Sequence, residues 1–481
     1  MERGDKMGYK YGVRIKNFSA GQLYEYGLGV RDYLPYTNAM LTNSLFLDFL
    51  LENGLKVSKN GHTRDVVCIN FDMGSKSYEE TRKNIECKIN ESVEEEERER
   101  LTFFLEKIIE NSELYVKKRK EDIRIEYYEN GVNIKYVTRD KGGNVKKEEI
   151  IHYKMLYRSA GKAKQGSVMF ICNRLYKIAH DFIYMGIKLP KYNSPIVEAS
   201  AYVSLIASTI VGRIRIEPEN ILILKDIDSF FRREVVSIDI DKDKHCKSTR
   251  IQDYELKNTL FDGQALIDDS IFPSWGDGYV LLRHHMTKCA AFHTNIQQFF
   301  QDWYGDKYES AKVVDMWGNE HYAKDIKMIT TDNAIKWIKF NVSYEYWCEK
   351  VHENGCQFGI VKTAHKSKYG DVQRMSYQMI NTLDVEIMDA VLAKSKMYVE
   401  QLKSDNAIFL DYLRDNQNFS NDYEVLFALC EQDSEFVRSE YFRSRKKKII
   451  DGYVKNLKFG KVLQEGDNLV MVGSPYAMLL H

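Results

Sequence analysis

Apolar and polar positions alternate along the chain with two different periods, which predict both helices and strands. In residues 35–55 the apolar side chains recur at helical spacing and stop at Asn53-Gly54, a pair typical of a helix end. The run TRDVVCINFDMG at 63–74 is mainly apolar and predicts a buried strand. Residues 92–122 begin with acidic and end with basic side chains, as the helix dipole favours, and predict a long helix with solvated charged faces.

β-rich runs follow, and helical patterns return toward the C-terminus. Residues 123–158 contain three β-rich runs separated by Glu-Asn-Gly and Lys-Gly-Gly-Asn, which are hairpin turn signals, so we expect a three-stranded meander. Helical spacing returns at 174–186 and 194–211, and strand patterns follow at 221–240. Residues 383–450 predict mostly helix. The fold class expected from this order is α+β.

The chain has 481 residues, more than one hydrophobic core usually serves, so we expect several domains. The changes of pattern predict an N-terminal α/β region at 1–122, a β-rich domain at 123–345 and a mainly helical region at 346–481. The six prolines form no linker-like cluster, so these boundaries rest on the pattern alone.

One short stretch, VVSIDIDKDKHC at 235–246, places Asp239, Asp241 and Asp243 at every second position. On a strand the three carboxylates share one face, where they could hold Mg²⁺, an ion that prefers carboxylate oxygens. The same spacing is typical of an amphipathic edge strand with isoleucines on its other face. The spacing favours the strand interpretation and leaves the three aspartates as an alternative metal site.

Composition limits what can attract a partner. Lysine plus arginine and aspartate plus glutamate both number 70, so nucleic-acid binding would have to come from local basic patches. The eight cysteines contain no CxxC pair, so we expect reduced thiols. The N-terminus has no apolar signal core. Together these two features predict a cytoplasmic location. The longest apolar stretch, at 200–212, is too short to cross a bilayer, so no membrane partner is expected.

Motifs of several familiar enzymes are absent from the sequence, namely GxxxxGK[ST], a GxGxxG that opens a βαβ unit, HExxH and GxSxG. In CEKVHENGC, Cys348, His352 and Cys356 recur at helical spacing and form a candidate zinc set. However, the Asn-Gly pair should end the helix before Cys356, and no fourth ligand is obvious. The adjacent His284 and His285 are expected to serve packing or phosphate contact.

Four segments set basic residues among glycines and aromatics, a pattern that favours contact with a nucleic-acid backbone, although each alone is also typical of a solvated loop. The candidates are Arg158 and Lys162 in YRSAGKAKQG, Arg283 and Lys288 in YVLLRHHMTKC, Lys336 and Lys339 in NAIKWIKF, and Lys362 and Arg374 in GIVKTAHKSKYGDVQRM. Lys336 and Lys339 share a face most easily in a helical turn after the β-run. In a strand only Lys336 would reach a cleft.

In this order the segments resemble the first part of the two-barrel RNA polymerase superfamily, in particular cellular RNA-dependent RNA polymerases of RNA silencing and their bacterial and phage single-chain relatives. The resemblance runs from about Tyr157 to the C-terminus. It rests on YRSAGKAKQG, FDGQALIDDSIF, DNAIKWIKF, RMSYQMINTL and EGDNLVMVGSPYAMLLH. In that family a first double-psi β-barrel supplies basic residues to the nascent strand or incoming nucleotide, and a second holds an Asp-x-Asp-Gly-Asp loop that binds catalytic Mg²⁺.

The resemblance implies a double-psi β-barrel-like core with helical additions, and it places the eight basic residues above in a nucleic-acid or nucleotide cleft. Gly473-Ser474-Pro475 is similar to the family's segment between the barrels, so the metal loop would lie further on. The stretch at 239–243 departs from that loop, because Lys242 replaces its glycine and the stretch precedes the first-barrel motifs.

The implied function is an N-terminal or split part of a template-directed RNA polymerase, a nucleotidyltransferase. Without the metal loop the chain alone is expected to be inactive, and Mg²⁺ is expected in the complete enzyme rather than on this chain. The expected partners are single-stranded nucleic acid or a template–product hybrid, and a second chain or C-terminal portion that carries the metal loop.

Two other functions fit the same sequence. A non-catalytic nucleic-acid-binding protein of a phage or mobile element would use the basic segment 436–461. A Mg²⁺-dependent nuclease would use the three alternating aspartates with Asp262. The functions differ in whether a double-psi barrel surrounds 260–340 and whether the aspartates point into a cleft or into solvent.

Overall fold

The structure, a computed structural model, describes residues 12–29, 33–71, 78–112, 120–139, 145–158, 167–187, 195–241, 245–370, 372–376, 387–417, 421–467 and 469–481. It contains two compact units. The main unit comprises Met1–Thr363 and Val472–His481, and the second unit comprises Ala364–Met471. These units divide the chain at different positions from the three regions expected from the sequence.

Most of the described strands lie in the main unit. They are β1 (Val13–Ser19), β2 (Thr37–Leu41), β3 (His62–Asn70), β4 (Val132–Arg139), β5 (Val145–Tyr157), β6 (Ser167–Cys172), β7 (Gly212–Arg215), β8 (Ile221–Leu224), β9 (Asp228–Ile240), β10 (Cys246–Thr259), β11 (Gln264–Asp268), β12 (Tyr279–His284), β13 (Thr287–Thr294), β14 (Lys312–Val314), β15 (Glu320–Tyr322), β16 (Met328–Thr331) and β17 (Gln357–Thr363). The second unit adds β18 (Val372–Ser376) and β19 (Lys461–Glu465).

Helices flank the sheets and dominate the second unit. They are α1 (Ala20–Gly27), α2 (Leu45–Glu52), α3 (Tyr78–Glu91), α4 (Glu95–Glu110), α5 (Lys120–Asn130), α6 (Asn173–Tyr184), α7 (Pro195–Val203), α8 (Ile296–Tyr304), α9 (Tyr344–Glu353), α10 (Met388–Ser404), α11 (Asn406–Asn416), α12 (Tyr423–Gln432), α13 (Glu440–Lys458) and α14 (Pro475–Leu480). Short 3₁₀ turns lie at Ser204–Ala207, Pro218–Asn220, Gly305–Ser310, Ala323–Asp325, Lys336–Phe340 and Ser434–Arg438. Among the described residues, no helix has both the length and the apolar character that a membrane crossing requires.

The first large sheet of the main unit has six strands in the order β2-β1-β3-β6-β5-β4. β1 and β3 are parallel, and the other neighbouring strands are antiparallel. Phe18 and Phe170 of this sheet are buried with Phe46 of α2 and Ile183 of α6 in one continuous apolar core. The mixture of sheets and helices confirms the α+β class at this coarse level.

The second large sheet has seven strands in the order β7-β17-β12-β13-β11-β16-β8 and must be strongly curled. Its edge strands β7 and β8 are joined by residues 216–220 alone. That link spans at most about 22 Å from Arg215 to Ile221. Seven flat strands would be about 29 Å wide, since neighbouring strands lie about 4.8 Å apart. The sheet therefore bends so that its two edges approach each other.

The seven-stranded sheet is covered on both faces. Its inner face carries Leu282 and Ala291, which belong to the same core as the first sheet. The other face, through Leu266 of β11, packs against Phe300 of α8 and Met478 of α14. The C-terminal residues thus pack on the sheet that also holds the candidate site.

β9 and β10 form a separate antiparallel hairpin with nearly all of its side chains exposed. Ile238 and Ile240, on the face opposite the aspartates, are 67% and 69% exposed. The predicted strand pattern at 221–240 is confirmed by β8 and β9, but β9 belongs to this separate hairpin and not to a large sheet.

The second unit has its own helical core. Leu402, Phe409 and Phe442 are buried where α10, α11 and α13 meet. β18 and β19 pair as an antiparallel ribbon. The helical character expected for 383–450 is confirmed for the described part of that range.

The predicted meander at 123–158 is wrong in its first run, which forms α5. Ile123 and Tyr127 are buried four residues apart on one side of the helix, whereas Ile125 is 53% exposed. Alternation suggested a strand, but the four-residue spacing decides which side chains reach the core. Gly131, with φ +71°, follows the helix end in the left-handed conformation that glycine tolerates. The other two runs pair as β4 and β5, as expected.

The predicted helix at 35–55 is confirmed only in its second half. α2 begins at Leu45, because the Ser44 hydroxyl accepts a hydrogen bond from the Leu47 N–H at 3.0 Å and caps the helix. The preceding Thr37–Leu41 segment is β2, which pairs with β1. A pairing partner elsewhere in the chain therefore overrides the helical spacing of the first half.

Candidate nucleic-acid interface

The β12–β13 hairpin and the 3₁₀ turn at 336–340 are joined by backbone hydrogen bonds. The Lys336 N–H donates to the carbonyl of Met286 at 2.8 Å, and the Lys288 N–H donates to the carbonyl of Ala334 at 3.0 Å. This ladder fixes the start of the turn against the end of the hairpin. Two of the predicted basic segments are thereby held side by side.

Three predicted lysines meet at this junction. Of the two conformations considered for Lys336 and Lys339, the structure has the helical turn, and about three residues per turn in a 3₁₀ helix place the two lysines on one face. The Nζ atoms of Lys288 and Lys339 lie 5.7 and 5.8 Å from the ring centroid of Tyr202, at the end of α7. Both ammonium groups are within cation–π distance of the same ring. We call Lys288, Lys336 and Lys339 the lysine cluster.

Lys336 differs from its two neighbours in its burial. Only 8% of the residue is exposed, and its Nζ lies 3.8 Å from Oδ1 of Asp262, whose side chain is 68% exposed. A buried aliphatic stem with its ammonium near the surface is the arrangement in which lysine snorkels. Asp262 offsets part of the cluster's positive charge. Phosphate oxygens are attracted to clustered lysine ammonium groups.

A half-buried carboxylate holds the turn that leads into the cluster. Asp226, just after β8, accepts hydrogen bonds from the Thr331 hydroxyl at 3.0 Å and the Asn333 side chain at 2.9 Å. It also accepts from the N–H groups of Ile227 and Phe261 at 2.8 and 3.0 Å. These four contacts tie the Thr-Asp-Asn turn to two other segments and fix the approach to Lys336.

Two further predicted residues lie on the same side of the sheet, because directly opposed residues of antiparallel strands share a face. Arg283 on β12 is opposite Lys288, and Lys362 on β17 is opposite Leu281. Lys362 is exposed, whereas Arg283 is half-buried and donates from Nη1 to the carbonyl of Leu282 at 2.7 Å. Burial lowers the pKa of the Arg283 guanidinium, although arginine stays charged in proteins.

The remaining predicted basic residues are elsewhere or outside the described chain. Arg158 follows β5 of the six-stranded sheet and hydrogen bonds to Tyr128, where it opposes the burial that raises the pKa of that hydroxyl. Arg374 lies on β18 of the second unit, and its charge opposes the same effect of burial at Tyr412. Lys162 lies outside the described residues.

The adjacent histidines of the hairpin serve packing, one of the two roles expected for them. His284 and His285 are fully buried, with ring centroids 4.7 Å from Phe358 and 4.5 Å from Phe182 respectively. Burial holds the pKa of His284 well below its usual 6.5 and lowers that of His285 to about 3. Both rings are therefore neutral at physiological pH and support the hairpin from within the core.

The two described aspartates of the alternating set lie on the exposed β9–β10 hairpin. Asp239 and Asp241 are exposed on β9 and at its end, and Asp239 is opposite Lys247 on β10. Asp241 accepts a hydrogen bond from the His245 N–H at 2.8 Å. Asp243 lies outside the described residues. Exposure of the two described carboxylates agrees with the amphipathic-strand interpretation, and no catalytic step is assigned to them.

Within the described residues, a different group brings metal-ligand atoms together. Glu217, His352 and Cys356 each direct one ligand atom to a common point. The sequence had singled out His352 and Cys356 but paired them with Cys348, whose thiol instead contacts Tyr344.

Sequence reasoning missed Tyr202 and Asp226. Tyr202 lies within the apolar stretch at 200–212, where its neighbours gave no sign that the ring would receive two ammonium groups. Asp226 had a weak signal, since it is an acidic residue two positions after the apolar run of β8.

Neither protein-family models nor curated proteins match this chain. The interpretation of the site therefore rests on its own geometry and on the resemblance of its short segments.

Proposed function

We propose that the main unit binds the sugar–phosphate backbone of nucleic acid at the lysine cluster. The observation that carries this proposal is the meeting of Lys288, Lys336 and Lys339 beside Tyr202, although the chain as a whole has no net charge. Lysines supply sequence-independent contact with phosphates, and an aromatic ring among them offers a surface on which a base can stack.

We further propose that this binding belongs to a template-directed RNA polymerase of the two-barrel type, with the curled seven-stranded sheet as its first double-psi β-barrel. The mixture of parallel and antiparallel pairs in that sheet supports the proposal. So does the position of Lys336 and Lys339 on DNAIKWIKF, one of the segments that resemble the family. In this proposal the chain contributes nucleic-acid contacts, and an Asp-x-Asp-Gly-Asp loop carrying Mg²⁺ comes from another chain or portion.

The competing basic segment at 436–461 has less support. Most of it forms α13, in which Arg445 is paired with Asp422 at 2.5 Å. Lys446 is buried and donates to the side chain of Asn406 at 2.8 Å. Some of its cations thus contribute to the second unit's own packing rather than to a free basic surface.

The test is binding of a fluorescent single-stranded RNA, followed by anisotropy over a range of salt concentrations. Lys288→Ala and Lys339→Ala should each weaken binding at low salt and lower the slope of log K against log salt by about 0.7. Lys312→Ala is the matched control, since Lys312 also lies over a tyrosine ring, 5.6 Å from Tyr322, but is outside the lysine cluster.

The control should bind like the parent. Salt-independent binding by the parent, or cluster variants indistinguishable from the control, would refute the proposal.

A further inference from the structure

The link between β7 and β8 meets the turn between α9 and β17, and three different ligand side chains converge there. Sγ of Cys356 lies 2.6 Å from Oε2 of Glu217 and 3.3 Å from Nδ1 of His352. Nδ1 of His352 lies 3.8 Å from the same Oε2 atom. Sulfur, nitrogen and carboxylate oxygen thus form a small triangle.

The backbone around this triangle is well fixed. The Ile216 N–H donates to the carbonyl of Cys356 at 3.0 Å, and Arg215 is opposite Gln357 in the β7–β17 pair. On the other side, the Tyr344 hydroxyl at the start of α9 donates to the carbonyl of Pro218 at 3.2 Å. The two segments that carry the ligands are therefore held together independently of the ligand side chains.

Cys356 adopts a backbone conformation that is uncommon for its residue type. The helix ends at Glu353, as the Asn-Gly pair predicted, and both Gly355 and Cys356 then have positive φ angles, +63° and +57°. A left-handed residue other than glycine, asparagine or aspartate is unusual. This turn carries the sulfur to the position next to Glu217 while the residue is only 2% exposed.

Each of the other two ligands is oriented by a neighbour. Nε2 of His352 lies 2.7 Å from Oε1 of Glu219, so we assign its proton to Nε2, which leaves the Nδ1 lone pair facing the triangle. Arg215 donates from Nε and Nη2 to Oε1 of Glu217 at 2.9 and 2.7 Å, which leaves Oε2 facing inward. A carboxylate partner behind a ligating histidine is the usual arrangement at metal centres.

Two of the three distances between the ligand atoms match tetrahedral coordination of an ion, and the third would have to lengthen. Zinc binds sulfur at about 2.3 Å and nitrogen or oxygen at about 2.1 Å, so tetrahedral ligands lie about 3.4 to 3.6 Å from one another. The sulfur–nitrogen and nitrogen–oxygen separations of 3.3 and 3.8 Å are close to this range. The shorter sulfur–oxygen contact of 2.6 Å is a thiol–carboxylate hydrogen bond, which would lengthen when an ion replaces the proton.

We propose that Glu217, His352 and Cys356 bind a divalent zinc-type ion, with Glu219 as the group that orients His352. A thiolate, an imidazole and a carboxylate together favour Zn²⁺ over Mg²⁺, which prefers oxygen ligands alone. Three protein ligands leave the fourth tetrahedral position open, and His352 and Glu217 have side chains 47% and 35% exposed, so water can reach it. An ion would displace the proton that the Cys356 thiol donates to Glu217.

The test uses the full-length chain, stripped with a chelator and titrated with Co²⁺ and then Zn²⁺. The parent should bind one equivalent of Co²⁺ with a thiolate-to-cobalt charge-transfer band, which Zn²⁺ abolishes by displacement. Cys356→Ser should lose the band. Cys348→Ser is the matched control, because it removes a nearby thiol of the same helix region that does not face the triangle, and it should keep the band.

Variants of exposed residues guard against misfolding of the buried cysteine variant. Glu217→Gln should also lose tight binding, and Glu219→Gln should lower the affinity for Zn²⁺ by about 10- to 100-fold while keeping the band. The proposal would be overturned by a parent that binds no equivalent of either ion, or by loss of the band in Cys348→Ser rather than Cys356→Ser. Rapid alkylation of Cys356 in a parent that ignores both ions would instead identify the group as a Cys-His-Glu nucleophile.

Discussion

Lys336 has two separable roles, because its stem is buried and its ammonium reaches the surface beside Asp262. Lys336→Ala removes both, whereas Lys336→Met keeps an unbranched stem of similar length and removes only the charge. The pair of variants therefore separates packing from binding at the centre of the lysine cluster.

The magnitude of the packing effect follows from the buried stem. Replacing Lys336 with Ala removes three methylene groups, each worth about 0.8 kcal/mol when buried, so the free energy of unfolding should fall by about 2 kcal/mol. Lys336→Met should change it by less than about 1 kcal/mol. Loss of the Asp262 contact adds little, because that carboxylate is mostly exposed and water screens the pair.

In contrast to stability, RNA binding should be weakened equally in Lys336→Ala and Lys336→Met. Each phosphate contact with a single strand contributes about 0.7 to the salt slope, so one lost lysine makes the parent-to-variant affinity ratio shrink by about 2.6-fold between 50 and 200 mM salt. Lys336→Ala and Lys336→Met should both show this change in the salt dependence of affinity. Urea denaturation and anisotropy titrations on the same preparations measure the two effects.

Lys312→Met, at an exposed lysine of the main unit, controls for a general loss of charge. A Lys336→Met variant with the parent's salt slope would show that Lys336 does not contact phosphate. If Met destabilised the protein as much as Ala, the buried-stem reasoning would be wrong.

Three further predictions concern residues around the cluster and the hairpin. Asp226→Ala removes the acceptor of four hydrogen bonds and should lower the free energy of unfolding by about 1 to 3 kcal/mol, so an unchanged urea midpoint would contradict its role. The chain alone should not extend a primer with Mg²⁺, and Asp241→Ala should leave RNA binding unchanged; extension by the parent would contradict the first statement, and weaker RNA binding by this variant would contradict the second. Because burial lowers the pKa of His284 and His285, the unfolded chain binds protons that the folded chain does not as pH falls below 6.5. Stability should therefore fall with pH by up to about 1.4 kcal/mol per unit for each histidine, and His285→Gln should lose one histidine's share of that slope in urea titrations between neutral and acidic pH.

Local patterns narrowed the conformation of the lysine-bearing segment to two alternatives. For NAIKWIKF the sequence left open a helical turn after a β-run or a strand, and the structure has β16 followed by the 3₁₀ turn at 336–340. The three-residue period of this turn is consistent with a buried Trp337 and an exposed Lys339. That these residues contact nucleic acid stays a prediction.

Contacts between distant segments could not be predicted in the same way. Tyr202 approaches Lys288 and Lys339 only because α7 packs near the end of the hairpin, and nothing in its own apolar surroundings records that contact. Glu217 meets Cys356 for a similar reason, since the β7–β17 pairing places the two segments together. The helical spacing grouped Cys348 with His352 and Cys356 because it considered one helix alone, whereas the structure groups Glu217 with those two residues.

α5 shows the limit of periodicity within a short segment. Ile123, Ile125 and Tyr127 alternate as in a strand, yet the first and third also lie four residues apart as in a helix. The structure buries these two and exposes Ile125, so the choice depended on what packs against the segment. Neither the two-residue nor the four-residue spacing alone shows which of these side chains is buried.

The most direct measurement is photo-crosslinking of a 4-thiouridine-labelled single-stranded RNA to the full-length chain, with the crosslinked peptides identified by mass spectrometry. Binding at the lysine cluster predicts that Tyr202 and the peptides around Lys288 and 336–340 carry the label, and that high salt removes it. Crosslinks confined to the β9–β10 hairpin or to α13, with Tyr202 unlabelled, would contradict the assignment of the cluster as the nucleic-acid interface.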